Sequence, residues 1–209
     1  MKRIWGLDNQ DEEYREIPQQ IPTSDFISQY GSIKFLDNTI HFYADVTSMS
    51  CSELNRMLRE LDTRMQHAKI TMNDAEFDPK IHLRIHSYGG DVLAGLASVD
   101  TIRSLKTKVY TYIEGAAASA ATLISISGNK RFIGKNSFML IHQLSAVCGG
   151  TFERLEDEQE NNRRMMNTIK SLYKEYTNIP MKELDVILKR DIWFDSATCL
   201  KYGLVDAVL

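Results

Sequence analysis

Two connections, each from a predicted strand to a predicted helix, most strongly limit the fold of this chain. Residues 81–90, IHLRIHSYGG, alternate like a strand and end in Gly89-Gly90, and a helical pattern opened by Asp91 follows over 91–106. Residues 108–115, KVYTYIEG, repeat the strand pattern, and AASAATLISISG, 117–128, is predicted to be the next helix. Because strands that alternate with helices form parallel sheets, the sequence predicts an α/β fold with a largely parallel sheet.

The flanking segments extend this pattern. Two short strands joined by an Asp-Asn turn are predicted over 32–46, a helix over 51–68 and a polar loop over 69–80. The remaining predicted elements are two strands over 129–143, a long helix over 151–176, helices over 181–190 and 195–203, and a final strand. The long helix carries an apolar stripe that predicts burial against another subunit. Its members are Phe152, Leu155, Met166, Ile169 and Tyr173.

Composition excludes several classes of protein. The 209 residues are 43% hydrophobic and 25% charged, which predicts one globular domain, residues 33–209, after a polar amino-terminal arm, residues 1–32. The net charge of -3 gives no reason to expect nucleic acid or an anionic membrane as a partner. Signal-peptide and membrane-spanning patterns are absent from the sequence. Three scattered cysteines, Cys51, Cys148 and Cys199, indicate reduced thiols and a cytoplasmic location, and no metal site or cofactor is predicted.

A polar side chain within an alanine-rich run is a candidate nucleophile. Ser119 follows the strand VYTYI and lies near the first turn of the predicted helix, where unpaired N–H groups favour a developing oxyanion. Its alanine neighbours would let another chain approach closely. The alternative is a serine that only packs within a tight helix.

The double glycine adds a second candidate feature. A strand that ends in Gly89-Gly90 can turn sharply and expose its amides. The N–H of Gly90 and that of Ala120, directly after Ser119, are therefore candidate oxyanion donors. The alternative is an ordinary tight turn between a strand and a helix.

A serine nucleophile needs a base, and the chain has five histidines. His142 ends the apolar strand FMLI and precedes a loop, and catalytic groups favour such positions. His82 and His86 lie on one face of a strand, where a metal would lack a third ligand, so a structural role is the better interpretation.

The base in turn needs a carboxylate. Asp185 lies inside a predicted helix, Asp195 is explained as a helix cap, and Asp206 lies in the closing strand. Asp191, in the connection KRDIWF, has no such local role, and elimination selects it.

Four segments in this order resemble the proteolytic subunit of Clp protease, a family of serine peptidases in the ClpP/crotonase superfamily. They are the turn HSYGGDV, the nucleophile segment 115–119, the strand NSFMLIHQ, and Asp191 before YGLVD. The resemblance covers about residues 35–209 and favours the nucleophile interpretation of Ser119. It implies a ClpP/crotonase-type fold of repeated β-α units with a protruding handle helix, in a handle region of about 145–177.

The resemblance also implies a role for each matching residue. Ser119 would be the nucleophile, His142 the base and Asp191 the carboxylate that orients it, with the oxyanion held by the amides of Gly90 and Ala120. The cleft would hold an extended substrate through four flanking residues, namely Asp91, Val92, Leu144 and Ser145.

The family's assembly supplies further expectations. The resemblance implies two stacked seven-subunit rings around a chamber, with peptides and unfolded proteins as substrates and an AAA+ unfoldase as a further partner. It implies neither a metal nor a cofactor, and it places the protein in the cytoplasm, or in the host cytoplasm for a phage-encoded member.

Some features depart from the family pattern. Tyr88 and Leu144 stand where the family has prolines, and Ala121 stands where it has a glycine. The arm does not resemble the family's axial-pore loop, and residues near 64–80 resemble an insertion, so docking of a Clp-type unfoldase is left open. A divergent subunit of this kind would also suit a phage, in which such peptidases can process capsid or scaffold proteins. Two rival functions remain: an inactive ring subunit that supports a paralogue, and a crotonase-like acyl-CoA hydratase or isomerase, which has no need of a Ser-His-Asp set.

Overall fold

The computed structural model describes residues 31–72 and 76–209, which form an eight-stranded sheet with six helices. The strands are β1 (Gly31–Leu36), β2 (Thr39–Ala44), β3 (Lys80–Ser87), β4 (Lys108–Ala118), β5 (Lys130–Ile133), β6 (Phe138–Leu140), β7 (Trp193–Phe194) and β8 (Ala207–Val208). The helices are α1 (Ser48–Met72), α2 (Val92–Ser104), α3 (Ala120–Ile126), α4 (Phe152–Tyr176), α5 (Met181–Ile187) and α6 (Ser196–Lys201).

The sheet is largely parallel, as the sequence predicts. Its main order is β1-β2-β3-β4-β5-β8, in which only the β1–β2 pair is antiparallel. β6 lies beside the second half of β4 in parallel, and the short β7 pairs with β6 in the antiparallel sense. Consecutive βα units therefore bring the carboxyl ends of β3, β4 and β6 to one region of the sheet.

Alternation along the central strands separates a core face from an outer face. On β3 the side chains of Ile81, Leu83 and Ile85 are fully buried, whereas His82 and Arg84 between them are only half-buried. Helices α1, α2 and α3 supply buried apolar residues to the same core. A strand buried on one face in this way has a strongly fixed register, because a slip of one residue would expose its apolar set.

β4 is long because it pairs with two different strands in turn. Its first half pairs with β5, from Tyr110 to Ile113, and its second half pairs with β6, from Ala116 to Ala118. Gly115 lies between them with φ of 77°, a conformation that favours glycine, and its N–H donates to Ser137 Oγ at 2.8 Å. The second half of β4, paired with β6, leads directly to Ser119.

Two predicted boundaries differ from the structure. Residues 31 and 32, assigned to the arm, begin β1, while residues 1–30 lie outside the described residues. The helix predicted to end near 68 continues to Met72, into the predicted polar loop and insertion. Asp62 and Gln66 hold this end of α1, because they hydrogen-bond the backbone N–H and the hydroxyl of Thr107 at 2.7 and 2.9 Å.

The predicted intersubunit stripe of the long helix divides into two parts. Ile169 and Tyr173 are 4% and 1% exposed and pack in the core of their own chain, so the prediction that they face another subunit is wrong. Phe152 and Leu155, at the start of α4, are exposed. Met166, between the two parts, is half-buried against the same core. The first part of the stripe is therefore the part available to a neighbour.

Within the described ranges, no helix combines the length and the apolar character that a bilayer span requires.

Candidate active site

Ser119 lies at the junction between β4 and α3. Its φ of 53° and ψ of -128° are unusual for a residue with a side chain, and such strain costs on the order of 1–3 kcal/mol. Its N–H donates to the Leu140 carbonyl of β6 at 2.9 Å, which fixes the turn to the neighbouring strand. A serine on a sharp, strained turn from strand to helix is an arrangement that exposes a nucleophile.

The helix predicted over 117–128 begins three residues later than expected. Ala116, Ala117 and Ala118 belong to β4, and α3 begins at Ala120. Ser119 is therefore the residue before the helix and not a member of it. The alanines are nearly or fully buried beside β3 and β6, where their small side chains permit close packing.

The double-glycine turn packs directly against this junction. Gly89 has φ of 93°, and a Cβ on it would lie 2.6 Å from both Ser119 Cβ and the Ala118 carbonyl oxygen. The same atom would lie 3.1 Å from the nitrogen of Ala120. A glycine is required here because both the backbone conformation and the close approach exclude a side chain.

The turn is held in place by the segment after β2. Val46 N–H donates to the Gly89 carbonyl at 2.8 Å, and Asp91 N–H donates to the Val46 carbonyl at 2.7 Å. In such a parallel bridge the N–H of the middle residue, Gly90, points away from the partner. Neither this N–H nor that of Ala120 has a hydrogen-bond partner within residues 31–72 and 76–209.

His142 and Asp191 lie near each other, but they are not tightly bonded. His142 Nδ1 is 3.8 Å from Asp191 Oδ1, beyond hydrogen-bond distance, and the Asp191 side chain is 81% exposed. Gln143 N–H donates to the Leu188 carbonyl at 2.7 Å, which ties the two segments together. No hydrogen bond joins Ser119 to His142 in the described part of the chain. Catalytic contacts are often long before a substrate binds.

The other three candidate aspartates, Asp185, Asp195 and Asp206, each have a local structural contact. Asp185 pairs with Lys170 at 2.7 Å, and Asp195 caps α6 through Thr198 N–H at 2.8 Å. Burial would raise the pKa of Asp206, but hydrogen bonds and the charge of Arg131 outweigh it and lower that pKa.

The histidines of β3 have structural contacts on the outer face of the sheet. His82 Nδ1 is 2.8 Å from the Tyr112 hydroxyl, and burial lowers the pKa of His82. His86 Nδ1 is 2.8 Å from the Glu114 carbonyl oxygen. Residues 31–72 and 76–209 contain no group of three metal-ligating side chains that could hold an ion.

A cavity of about 430 Å³ brings the candidate residues together. It is lined by all of the residues predicted for the site except Asp191, which lies behind His142. One face of α4 closes the cavity with residues spaced by three or four positions. These residues are Glu158, Asn162, Met165, Ile169 and Tyr173.

Two residues beside Ser119, the candidate nucleophile, were missed by the sequence analysis. Thr122 Oγ1 donates to the Ser119 carbonyl oxygen at 2.6 Å and lies 2.5 Å from the Tyr173 hydroxyl. The available signal was a tyrosine within an otherwise apolar stripe, because a buried tyrosine hydroxyl usually has a hydrogen-bond partner.

Comparison with known proteins agrees with this fold. The Clp protease family pattern matches residues 54–209. The ATP-dependent Clp protease proteolytic subunit of Streptococcus mutans is 36% identical over 148 residues, which cover 68% of this chain and 75% of the relative. The subunit of the same name from Deinococcus radiodurans is 34% identical over 134 residues, 63% of this chain and 66% of the relative.

A solved structure shows the same architecture. A point mutant of ClpP1 from Listeria monocytogenes superposes with a TM-score of 0.71 and 24% identity, covering 83% of this chain and 91% of the other. The molecule therefore has the ClpP/crotonase-type α/β fold. By sequence, the chain belongs to the Clp protease family.

Proposed function

We propose that this chain is a serine endopeptidase that cleaves peptides and unfolded proteins through an acyl-enzyme. The main observation behind the proposal is that the strained Ser119 lines one cavity together with His142. Asp191 Oδ1 lies 3.8 Å from His142 Nδ1. The proposal draws its chemistry from these residues and from the names of the Clp relatives.

In the proposed mechanism, His142 removes the proton of the Ser119 hydroxyl as the Oγ atom attacks the scissile carbonyl. The N–H groups of Gly90 and Ala120 stabilise the resulting oxyanion, and Asp191 stabilises the imidazolium. The imidazolium then gives its proton to the leaving amine, which leaves an ester on Ser119. Water, activated by His142, hydrolyses this ester and restores the serine.

The walls of the cavity suit an extended substrate. Residues 144–150 make no main-chain hydrogen bond to another backbone group of the described chain, although the Leu144 N–H donates to Met166 Sδ at 3.1 Å. The Leu144 carbonyl and the main chain of Ser145 can therefore pair with a substrate strand. Asp91 and Val92 lie opposite in the same cavity. Leu123 and Met165 add apolar walls, which favours an apolar side chain at the cleaved residue.

A more open groove adjoins this cavity and supports endopeptidase action. It has a volume of about 630 Å³ and shares Gly90 and Asp91 with the cavity that contains Ser119. A bound chain could therefore continue past the double-glycine turn. An enzyme that cuts within chains needs such room on both sides of the scissile bond.

Active-site titration tests the proposal directly. A fluorophosphonate probe is expected to label the wild-type protein once per chain, with the adduct mapped to Ser119, because only an activated serine reacts readily. The protein should also cleave short apolar fluorogenic peptides. Labelling at another residue would refute the proposed nucleophile. An unlabelled protein that hydrates acyl-CoA would support the crotonase alternative, and one with neither activity an inactive ring subunit.

The proposal includes the chamber of two stacked seven-subunit rings, in the cytoplasm or the host cytoplasm. α4 has 25 residues and is thus about 37 Å long, with Phe152 and Leu155 exposed near its start. Such exposed apolar side chains favour burial against a second ring. The relatives are named subunits of an ATP-dependent protease, which makes an ATP-driven unfoldase the proposed partner for folded substrates.

Native mass spectrometry tests this chamber. The wild-type protein is expected as a double-ring particle, and Leu155→Glu should shift it toward single rings or smaller species, because a charge replaces the apolar contact. Asn161→Glu, at an exposed site on the same helix, adds the same charge and should leave the particle intact. A fully active wild-type monomer at micromolar concentration would contradict the proposed assembly.

A further inference from the structure

The peptide group between Ser119 and Ala120 carries two atoms that matter for the proposed reaction. Its N–H is the oxyanion donor assigned to Ala120, and its carbonyl oxygen belongs to Ser119. That oxygen accepts two hydrogen bonds, one from Thr122 Oγ1 at 2.6 Å and one from Thr122 N–H at 3.0 Å. The orientation of this carbonyl therefore fixes the direction in which the Ala120 N–H points.

The threonine hydroxyl is in turn held by a residue of another helix. Because Thr122 gives its proton to the Ser119 carbonyl, its oxygen accepts the proton of the Tyr173 hydroxyl, 2.5 Å away. Thr122 and Tyr173 are 0% and 1% exposed, so water does not compete for these groups. Burial raises the pKa of Tyr173, and the phenol therefore remains a proton donor at neutral pH.

We propose that Tyr173 is a positioning residue that acts through Thr122 on the oxyanion donor of Ala120. The chain of bonds runs from the tyrosine hydroxyl to the threonine hydroxyl and then to the carbonyl of the shared peptide group. Hydrogen bonds in such a chain polarise one another, and a polarised peptide is a stronger N–H donor. The same bonds hold the peptide plane in place before any substrate arrives, which is how preorganised donors stabilise a transition state.

This inference rests on the proposed function and extends it to the supporting residues. A purely structural tyrosine would explain the buried ring equally well, since the ring fills the core beneath α4. The hydroxyl separates the two explanations. A hydroxyl with only a structural role affects the folding stability of the protein. A positioning hydroxyl also affects how strongly the active site stabilises the oxyanion.

The test compares Tyr173→Phe with Tyr176→Phe, a matched loss of a hydroxyl on the same helix whose side chain does not line the cavity. The assays are kcat and KM for an apolar peptide and the Ki of a peptide aldehyde. The aldehyde carbon forms a bond with Ser119 Oγ, and the aldehyde oxygen then occupies the oxyanion position. Tyr173→Phe is expected to lower kcat about 5- to 20-fold and to weaken the aldehyde by a similar factor, with KM nearly unchanged. Tyr176→Phe should match the wild type.

Substitutions at Thr122 provide a second arm. Thr122→Val removes the hydroxyl between Tyr173 and the Ser119 carbonyl and should reproduce the losses of kcat and aldehyde affinity. Thr122→Ser keeps a hydroxyl and should retain the wild-type values. Adding Tyr173→Phe to Thr122→Val should cause no further loss. Thermal unfolding confirms that each variant is folded at the assay temperature. Wild-type kcat and Ki in folded Tyr173→Phe would overturn the inference while leaving the peptidase intact, and so would a rise confined to KM. A wild-type protein that neither cleaves peptides nor binds the aldehyde would overturn the proposed function and this inference together.

Discussion

Replacement of Ser119 by alanine is expected to abolish peptide hydrolysis and fluorophosphonate labelling, with kcat reduced by about 10⁴-fold or more. The reason is the loss of the one group that forms the acyl-enzyme in the proposed mechanism. The fold should persist, because the serine hydroxyl makes no hydrogen bond within the described residues and alanines precede and follow it. A melting temperature within a few degrees of the wild type, together with the lost activity, is the expected result.

His142 provides the companion measurement. Groups of a Ser-His-Asp set act as a unit, so His142→Ala should cost about as much as Ser119→Ala, and the double variant should cost no more than either one. His82→Ala, on the outer face of the sheet, is the control and should keep the wild-type rate. Peptide cleavage at the wild-type rate by Ser119→Ala would show that the proposed mechanism is wrong.

The order of strands and helices was predictable because both periodicities are strong. β3 alternates buried and half-buried residues along its whole length, and Asp91 accepts from the N–H groups of Leu93 and Ala94 as a cap should. The same signals placed the double glycine and the strand before His142 correctly. Local sequence patterns were sufficient for these predictions because each of these elements is determined by the sequence of its own segment.

The start of α3 was not predictable in this way. Alanine is the best helix former, so Ala116–118 favour a helix by intrinsic propensity. In the structure they form strand β4, because pairing with β3 and β6 outweighs that preference. The strained φ of Ser119 follows from this, since the chain must change from strand to helix within one residue.

Tyr173 was misassigned for a related reason. Helical spacing shows that a stripe is apolar, but it does not show which partner covers each part of it. α3 packs against α4, whose carboxyl-terminal part carries the buried Ile169 and Tyr173, whereas the side chains of its first turn are exposed. The hydroxyl contact with Thr122 joins residues 51 positions apart, a separation over which no local pattern is informative.

Gly89→Ala is expected to abolish the proposed peptidase activity and also to destabilise the protein, unlike Ser119→Ala. The added Cβ would lie 2.6 Å from both Ser119 Cβ and the Ala118 carbonyl oxygen, and the residue would keep a φ of 93° that side chains rarely adopt. The backbone must move to relieve this contact, and the nearest atoms belong to the proposed nucleophile and to one proposed oxyanion donor. A displacement of about 1 Å costs on the order of 100-fold in rate, and the strain costs about 1–3 kcal/mol of stability.

The matched control is Gly149→Ala, in the loop before α4, where a Cβ would meet no atom within 4 Å. The experiment measures kcat/KM on a short apolar peptide together with urea unfolding of each variant. The control should retain the wild-type rate and stability, while Gly89→Ala loses both. If Gly89→Ala instead remained active and stable, the close contact between the double-glycine turn and Ser119 would not exist in solution. The assignment of the Gly90 N–H as an oxyanion donor would then fail with it, because that assignment depends on the turn lying against the nucleophile.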